Sequence, residues 1–265
     1  MWSYTIGLAC LLALVPDQSE KLSLENVRLL HGVPGLPRAE AKFIHGDSFY
    51  LAFDIKGVKA DDEGKVNYSL LTEVNFKGRL EFKHEAKNIE AIDSLGGGIL
   101  PGFTQLNIGP DQPVGTYTVK VTAKDKKSNA TATFSKDFEL VKGDLGIVQV
   151  RTTADQAGNV PTSVFATGES LWLNFGVVGF QRGASKQPNL KISLEIFDSN
   201  GKKTVTKTPV AEVNKDVPAE TSVFPVQFYV ALNRSGKFTL KLKATDTISG
   251  KIATLDLPLE VIHAK

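Results

Sequence analysis

Apolar and polar residues alternate along much of this chain with a period of two, the pattern of strands that turn one face to a core and one to solvent. Phe49, Leu51, Phe53 and Ile55 fall on one side of such a run, with Ser48, Tyr50, Ala52 and Asp54 on the other. Leu171, Leu173, Phe175 and Val177 repeat the pattern. Tyr117, Val119, Val121 and Ala123 alternate with lysines and threonines, as do Phe238, Leu240, Leu242 and Ala244. A last run turns Ala253, Leu255, Leu257, Leu259 and Val261 inward and Thr254, Asp256, Pro258 and Glu260 outward. Pro258 lacks a backbone donor, which predicts an edge or a bulge there. Further strands are expected over residues 24–30, 66–75, 100–108, 147–153, 190–197 and 224–232. Asp198-Ser199-Asn200-Gly201 reads as a type I′ hairpin turn, since Asn-Gly supplies positive φ. The one short helix expected lies at residues 86–94.

Self-comparison then organises the strands. Gly46-Asp47-Ser48-Phe49-Tyr50-Leu51-Ala52-Phe53 returns 122 residues on as Gly168-Glu169-Ser170-Leu171-Trp172-Leu173-Asn174-Phe175. The segment from Gly115 to Asp125 returns from Gly236 to Asp246, 121 residues on, and carries Phe138 onto Leu259 and Glu139 onto Glu260. Glycines and acidic residues in register are more than alternation would produce by chance. Strands of this length with turns between them predict a two-sheet sandwich, made twice. The boundary falls near Lys142-Gly143-Asp144, giving 21–143 and 144–265, with a link short enough to restrict relative motion without abolishing it.

The segment Gly115-Thr116-Tyr117-Thr118-Val119 resembles the Gly-x-Tyr strand of immunoglobulin-like and fibronectin-type-III-like modules in exported bacterial proteins. The resemblance implies an all-β fold of two tandem Ig-like antiparallel sandwiches. It makes Tyr117 the tyrosine-corner residue, bonded back to the backbone before its strand. Phe238 stands at that place in the second copy and has no hydroxyl. The cysteine pair and core tryptophan of antibody domains are absent. Modules of this kind serve adhesion, spacing or assembly, so the resemblance implies a type of role and no ligand.

Residues 6–15 form an apolar run followed by Pro16 and polar residues, which fits the hydrophobic region of a secretory signal and is too short to span a bilayer. Residues 1–20 are therefore expected to be a signal segment, and the mature chain to act outside the cell or in its envelope. The only cysteine, Cys10, lies within that segment. Net charge is +2, without the basic stripe that nucleic-acid binding requires.

Catalytic patterns are sparse. His31, His45, His84 and His263 have no metal-ligand spacing and read as scattered surface residues, and neither a Gly-x-Ser-x-Gly elbow nor a phosphate-binding glycine loop occurs. No cofactor is expected. Asp61-Asp62-Glu63 forms an acidic loop that could offer oxygens to calcium; the second copy has Arg182-Gly183-Ala184-Ser185 there. Tyr50 and Trp172 are equivalent under the repeat, and alternation sends both outward. They are the candidate binding residues, for a glycan or for a protein partner at the envelope. The reading is a non-catalytic structural, spacer or protein-binding element, with carbohydrate binding through these aromatics as the alternative.

Overall fold

A computed structural model describes residues 21–264, all strand, turn and loop. The expected signal segment, residues 1–20, lies outside the described residues. The first half contains β1 (Ser23–His31), β2 (Leu36–Pro37), β3 (Lys42–Phe43), β4 (Ser48–Lys56), β5 (Lys65–Phe76), β6 (Arg79–Ile92), β7 (Ile99–Asn107), β8 (Gly115–Asp125) and β9 (Thr131–Leu140). The second contains β10 (Gly146–Thr153), β11 (Phe165–Ala166), β12 (Ser170–Val178), β13 (Leu190–Asp198), β14 (Val210–Val213), β15 (Val223–Ala231), β16 (Gly236–Asp246) and β17 (Ile252–Ile262).

The fold is all-β and sandwich-like. In the first half a sheet ordered β2-β1-β4-β7 faces one ordered β3-β9-β8-β5-β6. In the second, β10-β12-β15 faces β11-β17-β16-β13-β14. Each pair encloses its own core. Phe49, Leu51, Phe53 and Ile55 are fully buried in one, and Leu171, Leu173, Leu240 and Leu242 in the other, as alternation requires. Small irregularities recur too. The β1–β4 register shifts between Glu25 and Arg28, with Asn26 at φ 47°, and the β10–β12 register shifts between Val148 and Arg151, with Gln149 at φ 53°. Asp125 and Asp246, both wholly buried, close the same corner in each half. Asp246 accepts from the backbone of Gln181 at 2.9 Å and of Ile248 at 3.0 Å, and from the Ser249 hydroxyl at 2.6 Å.

The Tyr117 hydroxyl donates to the Pro113 carbonyl at 2.7 Å, the corner bond expected of it. Pro258 is exposed on an unbroken β16–β17 register, beyond the two residues that β11 pairs, so that segment is an edge and not a bulge.

Three expectations are corrected. Residues 86–94 are not helical: most of them belong to β6. Asn88, at φ 53°, sits in a bulge of β6 against β5, so the inward-leaning Ala86 and Ile89 are three apart instead of two, which imitates a helical spacing. The turn at Asp198 is not type I′, because only Gly201 has positive φ; the Asp198 carboxylate accepts from the backbone of Asn200 and Lys202 at 3.0 Å each. The tight hairpin with two positive φ values is Lys77-Gly78, between β5 and β6. Third, His31 is not on the surface but 6% exposed.

The halves meet over more than their link. The β1–β2 hairpin leaves the first half and buries Leu36, 4% exposed, in the core of the second. Asp47 Oδ1 accepts from the Gln149 backbone at 3.0 Å, and its other oxygen lies 2.8 Å from the Arg38 guanidinium. Gln149 Nε2 donates to the Gly46 carbonyl at 2.8 Å. Ile44 lies where a Cβ on Gly143 or Gly146 would be, so both glycines admit it. A buried carboxylate is tolerated when paired and hydrogen-bonded, and this one is tied to both halves. Burial and then the Arg38 charge push the His31 pKa down to about 3.

Candidate binding surface

The outer face of β10, β12 and β15 collects aromatic and amide side chains. Trp172 pairs in register with Tyr229 on one side and Thr153 on the other, so all three project from the same face. The Trp172 and Tyr229 rings lie 5.0 Å apart at 55°, within the usual range for an aromatic pair. Gln227 Nε2 donates to Asn174 Oδ1 and to the Gln156 carbonyl, each at 2.7 Å. Asn174 in turn donates to Thr153 Oγ1 at 3.1 Å. The loop carrying Gln156 is thereby held against the face. Trp172 is half-buried, while Tyr229 is 53% exposed.

Tyr50 takes the matching place in the first half, between Leu30 and Gln105 in register, and is also half-buried. The two candidate rings thus sit on separate sheets, and it is Tyr229, not Tyr50, that stands beside Trp172. Sequence reading missed Tyr229. The signal was present, since the 224–232 strand alternates Val226, Phe228 and Val230 with Gln227 and Tyr229, but the chain alone does not reveal which outward positions become cross-strand neighbours.

The acidic loop is organised as a turn. Asp61 Oδ1 accepts from the backbone of Glu63 at 3.0 Å and of Lys65 at 2.8 Å, and the Lys65 bond is the main reason its carboxyl titrates below the ordinary range. Glu63 pairs with Lys65, and Asp62 is exposed. The same hydrogen-bonded turn recurs in the second half, from Gly183 to Gln187, without the carboxylate. Among the described residues, no group of three or more His, Cys, Asp or Glu side chains is placed to hold a metal ion.

Two clefts open between the sheets. One, about 590 Å³, lies beside Tyr229 and is lined by Ile196, Val205, Leu232, Phe238 and Leu259. The other, about 510 Å³, occupies the corresponding place in the first half, among Val74, Phe82, Ile108, Tyr117 and Phe138. Their walls are largely apolar, which suits packing against side chains better than polar chemistry.

No family model matches the chain, and no curated protein matches it. Among solved structures it aligns with dimeric latent PorU from Porphyromonas gingivalis at 10% identity and a TM-score of 0.38, over 95% of this chain and 21% of that one. It also aligns with the C-terminal domain of the Streptococcus pyogenes antigen I/II-family protein AspA at 8% identity and a TM-score of 0.31, over 91% of this chain and 100% of that one. The chain therefore spans about a fifth of the PorU chain's length.

Proposed function

We propose that the chain is a tandem pair of Ig-like modules, related by internal duplication and divided near residues 143 and 144, that acts outside the cell or in its envelope as a non-catalytic spacer and protein-binding element. The observation that carries this reading is the joint. Leu36 reaches from the first half into the core of the second, and Asp47 is bonded to both halves. A joint of this kind holds two sandwiches at one angle, which a spacer requires and a flexible linker does not supply. The recurring strand order and the bulges at Asn26 and Gln149 support the duplication.

Fractionation with mass spectrometry tests the address. The chain is expected in the envelope or the medium with a start between about Pro16 and Lys21, as cleavage after a hydrophobic region implies. Intact Met1 in the cytosol would refute it.

A second reading, carbohydrate binding, is favoured by one feature: the Trp172–Tyr229 pair with Asn174 and Gln227 alongside. A glycan array run with wild type and Tyr229→Ala separates the two. Glycan binding lost in the variant supports it, and an array blank for wild type removes it.

A further inference from the structure

The joint has a counterpart at the far end of the second half. In the first half Leu30 pairs with Pro37, and the Arg38 N–H donates to the Leu29 carbonyl at 2.9 Å. In the second half Thr153 pairs with Pro161, and the Thr162 N–H donates to the Thr152 carbonyl at 3.0 Å. The two hairpins superpose in sequence 123 to 124 residues apart, and this places Val160 where the first half has Leu36. Leu36 is buried in the neighbouring core; Val160 is 53% exposed, with Val164 and Ile262 exposed nearby. Val160 is thus an apolar residue presented on a hairpin at the position that makes the internal joint.

The seat has a counterpart as well. Leu36 and Pro37 line a hollow with Ser163, Phe165, Pro258 and Leu259 of the second half. The matching place in the first half is an open hollow of about 410 Å³ among Ala41, Lys42, Thr116, Asp137 and Phe138. Among the described residues, one chain therefore carries a projecting residue without a seat at one end and a seat without an occupant in its other half.

We infer that a second copy of this chain fills the vacancy: Val160 of one copy docks beside Ala41 and Phe138 of the next, head to tail, repeating the internal joint between molecules. This rests on the reading of the chain as a duplicated module pair. The contact joins two different surfaces, so it repeats from copy to copy and the product is an open array or a ring, not a two-fold dimer.

The test is directed disulfide trapping in full-length chain with Cys10→Ser. Val160→Cys and Ala41→Cys are made separately, oxidised alone and mixed, and also combined in one chain. Expected are crosslinked pairs in the mixture well above those of either variant alone, and a ladder of oligomers from the double variant. Sedimentation of the unsubstituted chain should keep rising with concentration past the dimer, and Val160→Asp should abolish that rise with its melting temperature unchanged. Pairs from Val160→Cys alone at equal yield, a plateau at dimer, monomer at every concentration that stays in solution, or association unaffected by Val160→Asp would each overturn the inference. Trapping can fail while export and a protein partner stand, and cytosolic retention would refute the proposed function whatever the trapping shows.

Discussion

Truncating Leu36 to Ala separates a joint from a linker. Leu36 belongs by sequence to the first half and by contact to the core of the second, alongside Phe165, Leu259 and Val261. The change removes three carbon atoms from a buried site, about 2.4 kcal/mol at roughly 0.8 kcal/mol per buried carbon. A residual cavity adds to this where neighbours cannot close in, and total losses for such truncations run about 2–5 kcal/mol. The seat lies at the side of the sandwich, where partial collapse is easy, so a loss of about 2–3 kcal/mol is expected. At about 2–4 °C per kcal/mol for a chain of this size, the melting temperature should fall by roughly 4–12 °C. Hydrogen exchange locates the damage: amides of β11 and β17 should lose protection first. Val160→Ala, a two-carbon truncation at the exposed counterpart, should stay within about 0.5 kcal/mol. If Leu36→Ala also costs under about 0.5 kcal/mol, or loosens only the first half, the two sandwiches are merely strung together.

Three other outcomes follow from the geometry. Burial raises the Asp246 carboxyl, but the Ser249 hydroxyl and the backbone donors of Gln181, Ile248 and Ser249 outweigh it and hold the pKa below the usual range; Asp246→Asn weakens this clamp and should cost about 1–3 kcal/mol in chemical denaturation. The His31 pKa, lowered from 6.5 to about 3, makes the folded state favour the neutral ring, so stability is complete above pH 6.5 and drains as pH falls toward 3. The loss should reach about 2 kcal/mol by pH 5 and be absent in His31→Gln, as paired melts at pH 7 and 5 would show. Trp172→Ala should destabilise more than Tyr229→Ala, because Trp172 is the more enclosed ring, and equal melting temperatures would contradict that.

What the sequence disclosed was local. Burial of Phe49, Leu51, Leu171 and Leu173 follows from a period of two, and the Tyr117 corner from a short motif. The joint was not legible, because Leu36 and Pro37 form only a two-residue strand, too short to show a period. The β6 bulge was misread for the reverse reason: one extra residue shifts an alternating pattern into one resembling a helix. Tyr229 stayed hidden because cross-strand neighbours are set by register. Lys77-Gly78 escaped because Lys rarely takes the positive φ that the turn imposes on it.

Strand direction decides how such a body responds to being stretched. A pull applied at the start of β10 and the end of β17 draws each strand lengthwise along its neighbour, since both run toward the same end of the sandwich. Hydrogen bonds between antiparallel strands lie across that direction. The ten paired positions joining β16 to β17 would thus be loaded together, and none could be peeled off before the rest. The seam between the halves behaves alike: parting them requires Leu36 to be withdrawn from its seat while the Asp47 contacts to Gln149 and Arg38 are intact. Resistance under tension is then a matter of how slowly the fold opens, not of how stable it is at rest.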